Sequence, residues 1–322
     1  MSQNITRRHA SALFVAMLAG GSTARAQEML PLRIAHDIPV AWLPFFVAHE
    51  RKLWQANNVA PIVVPSTTGM ATLISVGGAA ADIGIAAEIS VAIAAMNKAS
   101  VRIIASFNQV ENMELACSVS IKTPQDIVGK KIAVAQGTPS HYYLSLFLKK
   151  YNIEPAKVSI VRLGPAEMVS ALAGGAIDGF VWQEPFLSQA VKLDARKFHR
   201  LPDPGLNEIY AVVMVNETAL QQRRPALVRG LRALDQACAF IKAEPAEALR
   251  IGAQYSQMDP VVAADAISRM RIGLTMDVPA MKAKMTDEAK WAIAEGVARQ
   301  DAVIPDYANY LDASVLADAR KS

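Results

Sequence analysis

MATLISVGGAAADIGIAAE, Met70 to Glu88, and EMVSALAGGAIDGFVWQE, Glu167 to Glu184, decide the reading of this chain. Each runs through an apolar helical stretch, a Gly-Gly stop, an Asp, a short apolar strand and a Glu. Gly-Gly ends helices readily, and a strand directly after such a stop is the mark of a βα lobe. The same order appearing twice points to two lobes built alike. Two unrelated βα units would share much of this order, so the echo has to agree with its surroundings.

Working outward, strand and helix signals alternate on both sides of each copy. Before and after the first copy, strands are expected at 32–35, 61–64, 83–86 and 101–105, with helices at 43–56, 70–76 and 91–96. Around the second, strands are expected at 131–135, 158–163 and 178–182, with helices at 139–151 and 166–172. This rhythm predicts parallel sheets covered by helices. Beyond Val215 strand signals fade, and helices are expected at 225–243, 246–255 and 260–272. A βα lobe, a second βα lobe and a helical tail imply a chain that crosses between lobes twice, near Asn112–Leu115 and near Val213–Val215.

At 322 residues, 52% hydrophobic and 19% charged, the chain is long enough for two cored lobes and too apolar to be disordered. Residues 1–26 read separately. Arg7-Arg8 precede the short apolar run Ala10 to Ala19, and Ala24-Arg25-Ala26 gives a cleavage pattern, which together predict an export signal of the twin-arginine or general secretory type. Its removal takes Arg7, Arg8 and Arg25 and no acid. The 33 basic residues fall to 30 against 29 acidic, a formal +1, which leaves no basic patch for nucleic acid. The apolar stretch 74–96 mimics a membrane span, but Asp82, Glu88 and Gly77-Gly78 interrupt it. Cys238 falls on an apolar series with Leu227, Leu231, Leu234 and Ile241 at helical spacing. Cys117 and Cys238 are therefore expected to be packed and unpaired, although export would permit a disulfide. No Cys/His spacing suits a metal, and no cofactor motif is present.

The ordered segments PFFVAHERKLW (44–54), STTGMATLISVGGAAADIGIA (66–86), KTPQDIVGKKIAVAQGTPSHYYL (122–144) and PAEMVSALAGGAIDGFVWQEPFLSQA (165–190) carry a resemblance. The chain resembles the substrate-binding proteins of ABC importers for nitrate, taurine, alkanesulfonates and thiamine precursors. The resemblance implies a two-lobed α/β periplasmic-binding-protein fold of type II, with two parallel-type sheets flanked by helices and a two-segment hinge. It divides the chain into the signal at 1–26, a first lobe from 27–112 and 214–322, and a second lobe at 113–213. It also implies a monomeric periplasmic protein that binds a small molecule and docks on a membrane-embedded ABC permease with its ATPase.

Ligands of open α/β sheets bind beyond the carboxyl ends of the strands, so the strand-to-helix turns supply the candidates. In QGTPSHYY, Gly137 makes the turn, Thr138 is the expected N-cap and Pro139 the first helical residue. Ser140 and His141 would then offer first-turn amides, and Ser140 a hydroxyl, to a sulfonate, carboxylate or phosphate. The resembling family often has Gly-Ser-Ser/Thr-Ala/Ser-His-Tyr here, and Pro139 removes one donor. Thr67, Thr68 and Gly69 form the matching turn in the first lobe. Trp42, after Ile38-Pro39, either walls the cleft or packs in the core. Glu88 either favours its helix N-terminus or faces the cleft, where it would receive an ammonium group and make the ligand a zwitterion. The family places Trp directly before Glu-Pro, whereas here Gln183 intervenes after Trp182. Gln183 is therefore a cleft candidate and Glu184 a cleft or interlobe residue. Asp82 and Asp178 serve turns or the interlobe surface.

No catalytic residue is expected, since the chain has no G-x-S-x-G, H-E-x-x-H or P-loop. The expected role is capture of an anionic or zwitterionic metabolite for import. A pyrimidine or thiamine precursor, an aromatic acid, a sensor role and, less favoured, an exported enzyme remain open alternatives.

Overall fold

The computed structural model describes residues 28–37 and 39–321. The expected export signal at 1–26 lies outside the described residues, as does Ile38. Among the described residues eleven strands form two sheets. They are β1 (Leu30–His36), β2 (Val59–Pro65), β3 (Ile83–Ala87), β4 (Val101–Val110), β5 (Glu114–Ser118), β6 (Lys131–Val134), β7 (Ser159–Arg162), β8 (Gly179–Trp182), β9 (Phe198–Leu201), β10 (Ile209–Asn216) and β11 (Met270–Thr275). The first sheet has the order β11-β4-β10-β3-β1-β2 and the second β7-β6-β8-β5-β9.

The internal echo becomes a repeated topology. β1 lies between β2 and β3, all parallel, and β6 lies between β7 and β8, all parallel. The two echoed aspartates do the same job in each lobe. The Asp82 N–H donates to the Arg33 carbonyl, and the Arg33 N–H donates back to the Asp82 carboxylate at 2.8 Å. The Asp178 N–H donates to the Lys131 carbonyl, and the Lys131 N–H donates to the Asp178 carboxylate at 2.8 Å. Each aspartate thus closes the entry to its central parallel pair.

The sheets are mixed rather than purely parallel. β10 runs antiparallel to β3 and β4, and β5 antiparallel to β8 and β9. Residues 111–113 carry the chain from the first sheet to the second, in the expected region. The return falls at 202–208, ahead of the expected Val213–Val215, because those valines lie inside β10. The tail is also less helical than expected. The helix at Pro260–Ser268 stops before 272, and Met270–Thr275 forms β11, which adds an antiparallel edge to β4. Its short alternating run gains a ready partner in β4, and tertiary pairing overrides local helix signals.

The helix Gly69–Gly77 covers β3, and Gly84 permits the close approach. A Cβ there would sit 2.6 Å from Thr72 Cγ2 and 2.7 Å from Val76 Cγ2. Gly84→Val is expected to cost about 1–3 kcal/mol through overpacking. Thermal melting of the variant measures this, and an unchanged midpoint would contradict that contact. Cys238 lies on the buried face of the helix Arg224–Ala243 with Leu227, Leu231, Leu234 and Ile241, and both cysteines are buried and free. The stretch 74–96 resolves into helix, strand and helix, and no helix among the described residues is long and apolar enough to cross a membrane. The largest apolar cluster is continuous through the crossing, from Phe107 and Val110 to Met113, Leu115 and Tyr143.

Candidate functional site

A cavity of about 220 Å³ lies between the two sheets. Asp37 and Ala87, from the carboxyl ends of β1 and β3, form one side; Ala135, Trp182 and Gln183, from those of β6 and β8, form the other. Val110 at the end of β4 and Asn112 and Met113 of the first crossing complete the wall. The cavity therefore occupies the crevice that open α/β sheets reserve for ligands.

Three helices begin at its wall. Gly69 and Met70 open the helix Gly69–Gly77, whose N-cap Thr68 accepts the Ala71 N–H at 3.1 Å. Ser90 is in the first turn of the helix Glu88–Met96, and Pro139 starts the helix Pro139–Lys150 behind Thr138. Each contributes the positive end of its dipole. Against this, the single ionisable residue in the wall among the described residues is an acid, Asp37. Desolvation raises its pKa, opposed in part by the Trp42 indole N–H that donates to its carboxylate. Trp42 is almost fully buried, with its ring edge-to-face on Phe107 at 5.8 Å. The Asn112 amide donates to Gln183 Oε1 across the crossing, and among the described residues the buried Asn112 Oδ1 has no partner.

Of the residues selected from sequence, Trp42, Thr68, Thr138 and Gln183 line this cavity, and Trp182 joins them. The Thr138 hydroxyl donates to the Ala135 carbonyl at 2.7 Å and makes no side-chain cap. Thr67 is exposed and outside the wall. The rest of the expected anion turn is occupied by the protein itself. The Ser140 hydroxyl is fully buried and donates to the Val181 carbonyl at 2.8 Å, tying the helix start to β8. The His141 N–H donates to the Thr138 carbonyl at 3.1 Å. The His141 ring stands edge-on to Trp291 at 5.1 Å, and burial lowers its pKa to about 4, helped by Arg162, so it is neutral near pH 7. Gly137, at φ +71°, lies against Val297 and Ile93 of the first lobe and makes a lobe-to-lobe contact.

Ser140→Ala is accordingly expected to lower stability by roughly 1–3 kcal/mol, because the buried Val181 carbonyl loses its donor. Affinity in the cleft is expected to stay within about twofold. Chemical denaturation and ligand titration of the same variant check both halves.

The two glutamates are also turned away from the cavity. Glu88 is buried against Lys284, 3.2 Å from its Nζ, and accepts the Tyr210 N–H at 2.9 Å. Lys284 is simultaneously 3.4 Å from the buried Glu288 and lies under the ring of Tyr142 from the second lobe. Glu184 accepts from Arg200 at 2.7 Å and from the Ser188 hydroxyl at 2.9 Å. Arg200 also binds Glu114 at 2.7 Å, and Glu114 pairs in turn with Arg269. Both acids thus have cations of their own, which sequence spacing could not show because Lys284 and Arg200 are distant from them along the chain or on another strand. Asp37, Ser90 and Asn112 were missed from sequence. Asp37 had the one available signal, its place immediately after β1.

Two α/β lobes joined by two crossings around a cleft define the periplasmic-binding-protein class of fold. Solved structures agree. The alkanesulfonate-binding protein SsuA of Xanthomonas axonopodis pv. citri, bound to MOPS, superposes with a TM-score of 0.75 at 19% identity, covering 89% of this chain and 99% of its own. The periplasmic nitrate-binding protein NrtA of Synechocystis PCC 6803 superposes with a TM-score of 0.71 at 15% identity, covering 91% and 88%. Within that class the chain belongs to the NMT1/THI5-like family, which matches residues 41–248. Over 93 residues it is 36% identical to the taurine-binding periplasmic protein of Escherichia coli K12, which is 28% of this chain and 29% of that relative's length. The Escherichia coli and Synechocystis proteins are periplasmic binding proteins, and the Xanthomonas protein is a binding protein as well.

Proposed function

We propose that the protein is an exported solute-binding protein that captures a small zwitterion in this cleft and delivers it to an ABC permease with its ATPase. One observation carries the ligand class: among the described residues, three helix N-termini and a single half-buried carboxylate share one cavity. The helix ends suit a sulfonate or carboxylate, and Asp37 suits an ammonium group. Sulfonate and taurine binders among the similar proteins support the same pairing. A volume of about 220 Å³ lies below the usual range for drug-sized ligands, so a metabolite of few atoms fits. A bare anion such as nitrate would fill the helix-end half and leave Asp37 desolvated and unpaired, which costs affinity. The role requires no chemistry, and among the described residues no histidine or cysteine lines the wall. Periplasmic placement follows from the expected signal and the location of the relatives. The monomeric state is part of the same proposal.

The two tryptophans and the Asn112–Gln183 amide pair also suit a flat aminopyrimidine whose amine uses Asp37. Calorimetric titration with taurine, nitrate and an aminopyrimidine separates these ligands. Saturable one-site binding of taurine, with nitrate far weaker, is the expected result. Nitrate binding as tight as taurine would remove the role of Asp37, and selective uptake of the aminopyrimidine would transfer the site to the second reading.

A further inference from the structure

A cavity of about 170 Å³ lies on the helix-covered face of the first sheet and shares no wall residue with the cleft cavity. Strand alternation places Ile34 and His36 of β1 on one face, beside Pro61 and Val63 of β2. The helices laid over that face supply the rest. Phe45, Phe46 and His49 come from Leu43–Glu50, Trp54 from Leu53–Ala56 and Tyr255 from Pro245–Ser256.

Six of the nine wall residues carry rings. Phe45, Phe46 and Trp54 are buried, His36 and Tyr255 half-buried and His49 exposed, so an apolar floor lies below an open rim. Tyr255 stacks on Phe46 at 5.2 Å and meets His49 edge-on at 6.3 Å, while His36 stands edge-on to Phe46 at 6.1 Å. Aromatic rings favour such stacked and edge-to-face neighbours, and an apolar cavity of about 150 Å³ takes a benzene-sized ring.

The rim adds one directed acceptor. His36 Nδ1 lies 2.8 Å from the Asp37 carbonyl, which only accepts, so Nδ1 carries the proton and Nε2 the lone pair of the neutral ring. Among the described residues Nε2 has no hydrogen-bond partner, and its half-buried ring is part of the cavity wall. The Tyr255 hydroxyl is already committed as a donor to Glu50 Oε2 at 3.0 Å, and Glu50 lies 3.6 Å from Arg250. Among the described residues the wall holds no carboxylate, lysine or arginine.

We propose that this cavity binds a small neutral aromatic molecule with one hydrogen-bond donor, of the size of phenol. The ring lies against Phe45, Phe46 and Trp54, and the O–H donates to His36 Nε2. A quaternary ammonium also binds ring faces, but this wall offers it no anion. The site does not depend on the ligand proposed for the cleft.

The test is an NMR titration that follows the amide shifts of His36, His49 and Tyr255. Phenol is expected to saturate one site there. Benzene, a ring without a donor, is expected to bind roughly threefold to tenfold more weakly, and cyclohexanol, a donor without an aromatic ring, roughly tenfold more weakly. Tetramethylammonium is expected to give no saturable shift. His36→Phe keeps a ring and removes the acceptor, so phenol affinity is expected to fall to that of benzene while benzene affinity is kept. Tyr255→Leu keeps an apolar side chain at a half-buried helix position and is expected to weaken both aromatic ligands by roughly tenfold. Asp37→Asn, in the cleft, is expected to leave phenol affinity unchanged. No saturable phenol binding, shifts centred on the cleft residues instead, cyclohexanol or tetramethylammonium binding as tightly as phenol, or an unaltered phenol-to-benzene ratio in the His36 variant would each overturn the proposal.

Discussion

Asp37→Asn is expected to weaken taurine binding by about 2–5 kcal/mol, roughly thirtyfold or more, while the fold is kept. The argument is electrostatic. Among the described residues Asp37 is the single ionisable group in the cleft wall, so no other described side chain there can replace its charge. Truncating one member of a desolvated, hydrogen-bonded charge pair leaves the other buried and unpaired, and that accounts for much of the loss. Asparagine keeps the shape and can still accept the Trp42 N–H, so packing is not the cause.

The empty protein should respond in the opposite direction. Desolvation raises the pKa of Asp37 above its unfolded value. A raised carboxyl contributes stability below the unfolded pKa, and this contribution is lost as pH rises through the folded pKa. Near neutral pH, therefore, the ionised Asp37 opposes folding, and the Asn variant is expected to melt at a higher temperature when empty. Its melting temperature should then show little increase on adding taurine. For the same reason, taurine affinity of the native protein is expected to fall as pH falls through the folded pKa of Asp37. A variant that loses stability and keeps affinity would assign Asp37 to the scaffold instead.

Lys284→Ala is expected to be the most damaging single change to stability, at about 3–5 kcal/mol. Lys284 stands between Glu88 and Glu288, both 1% exposed, at 3.2 and 3.4 Å. Without it two buried carboxylates face each other with no cation between them. Desolvation already raises the pKa of both acids, and the charge of Glu88 raises that of Glu288 further. Their stabilising contribution is present below the unfolded pKa and lost as pH rises through the folded values, so the defect should deepen with rising pH. At about 2–4 °C per kcal/mol the melting temperature should fall by roughly 6–20 °C at pH 8 and by less at pH 5. A second consequence concerns closure. Lys284 also lies under the Tyr142 ring and 3.3 Å from Asn207 Oδ1 in the second crossing, so the variant loses lobe-to-lobe contacts as well. Melting curves across this pH range decide the matter. A loss independent of pH would mean that the lysine acts through packing alone.

The repeated Gly-Gly-Asp-strand pattern was enough to read two βα lobes, because local periodicity and a helix stop act over a few residues. Strands β1, β2, β3, β6, β7 and β8 were legible as well, whereas their order within each sheet was not. The antiparallel strands β9, β10 and β11 were read poorly, since their stability comes from β4 and β5, whose proximity no local pattern encodes. The site divided in the same way. Thr68, Thr138 and Gln183 were legible as turn residues at strand ends. Ser140, His141 and Glu88 carried the same signals, but each had been taken by a distant partner: the Val181 carbonyl, Trp291 and Lys284. A helix terminus or a carboxylate in sequence says what a group can bind and leaves open what reaches it first. Asp37 shows the converse. It lies five residues before Trp42, and its weight comes from the cavity, where no other described residue is ionisable.

The orientation of taurine in a crystal structure of the complex tests the central claim most directly. The predicted result is the ammonium group against the Asp37 carboxylate and the sulfonate at the N-termini of the helices that begin at Gly69, Glu88 and Pro139. A sulfonate placed beside Asp37, or a cleft left empty at saturating taurine, would contradict it.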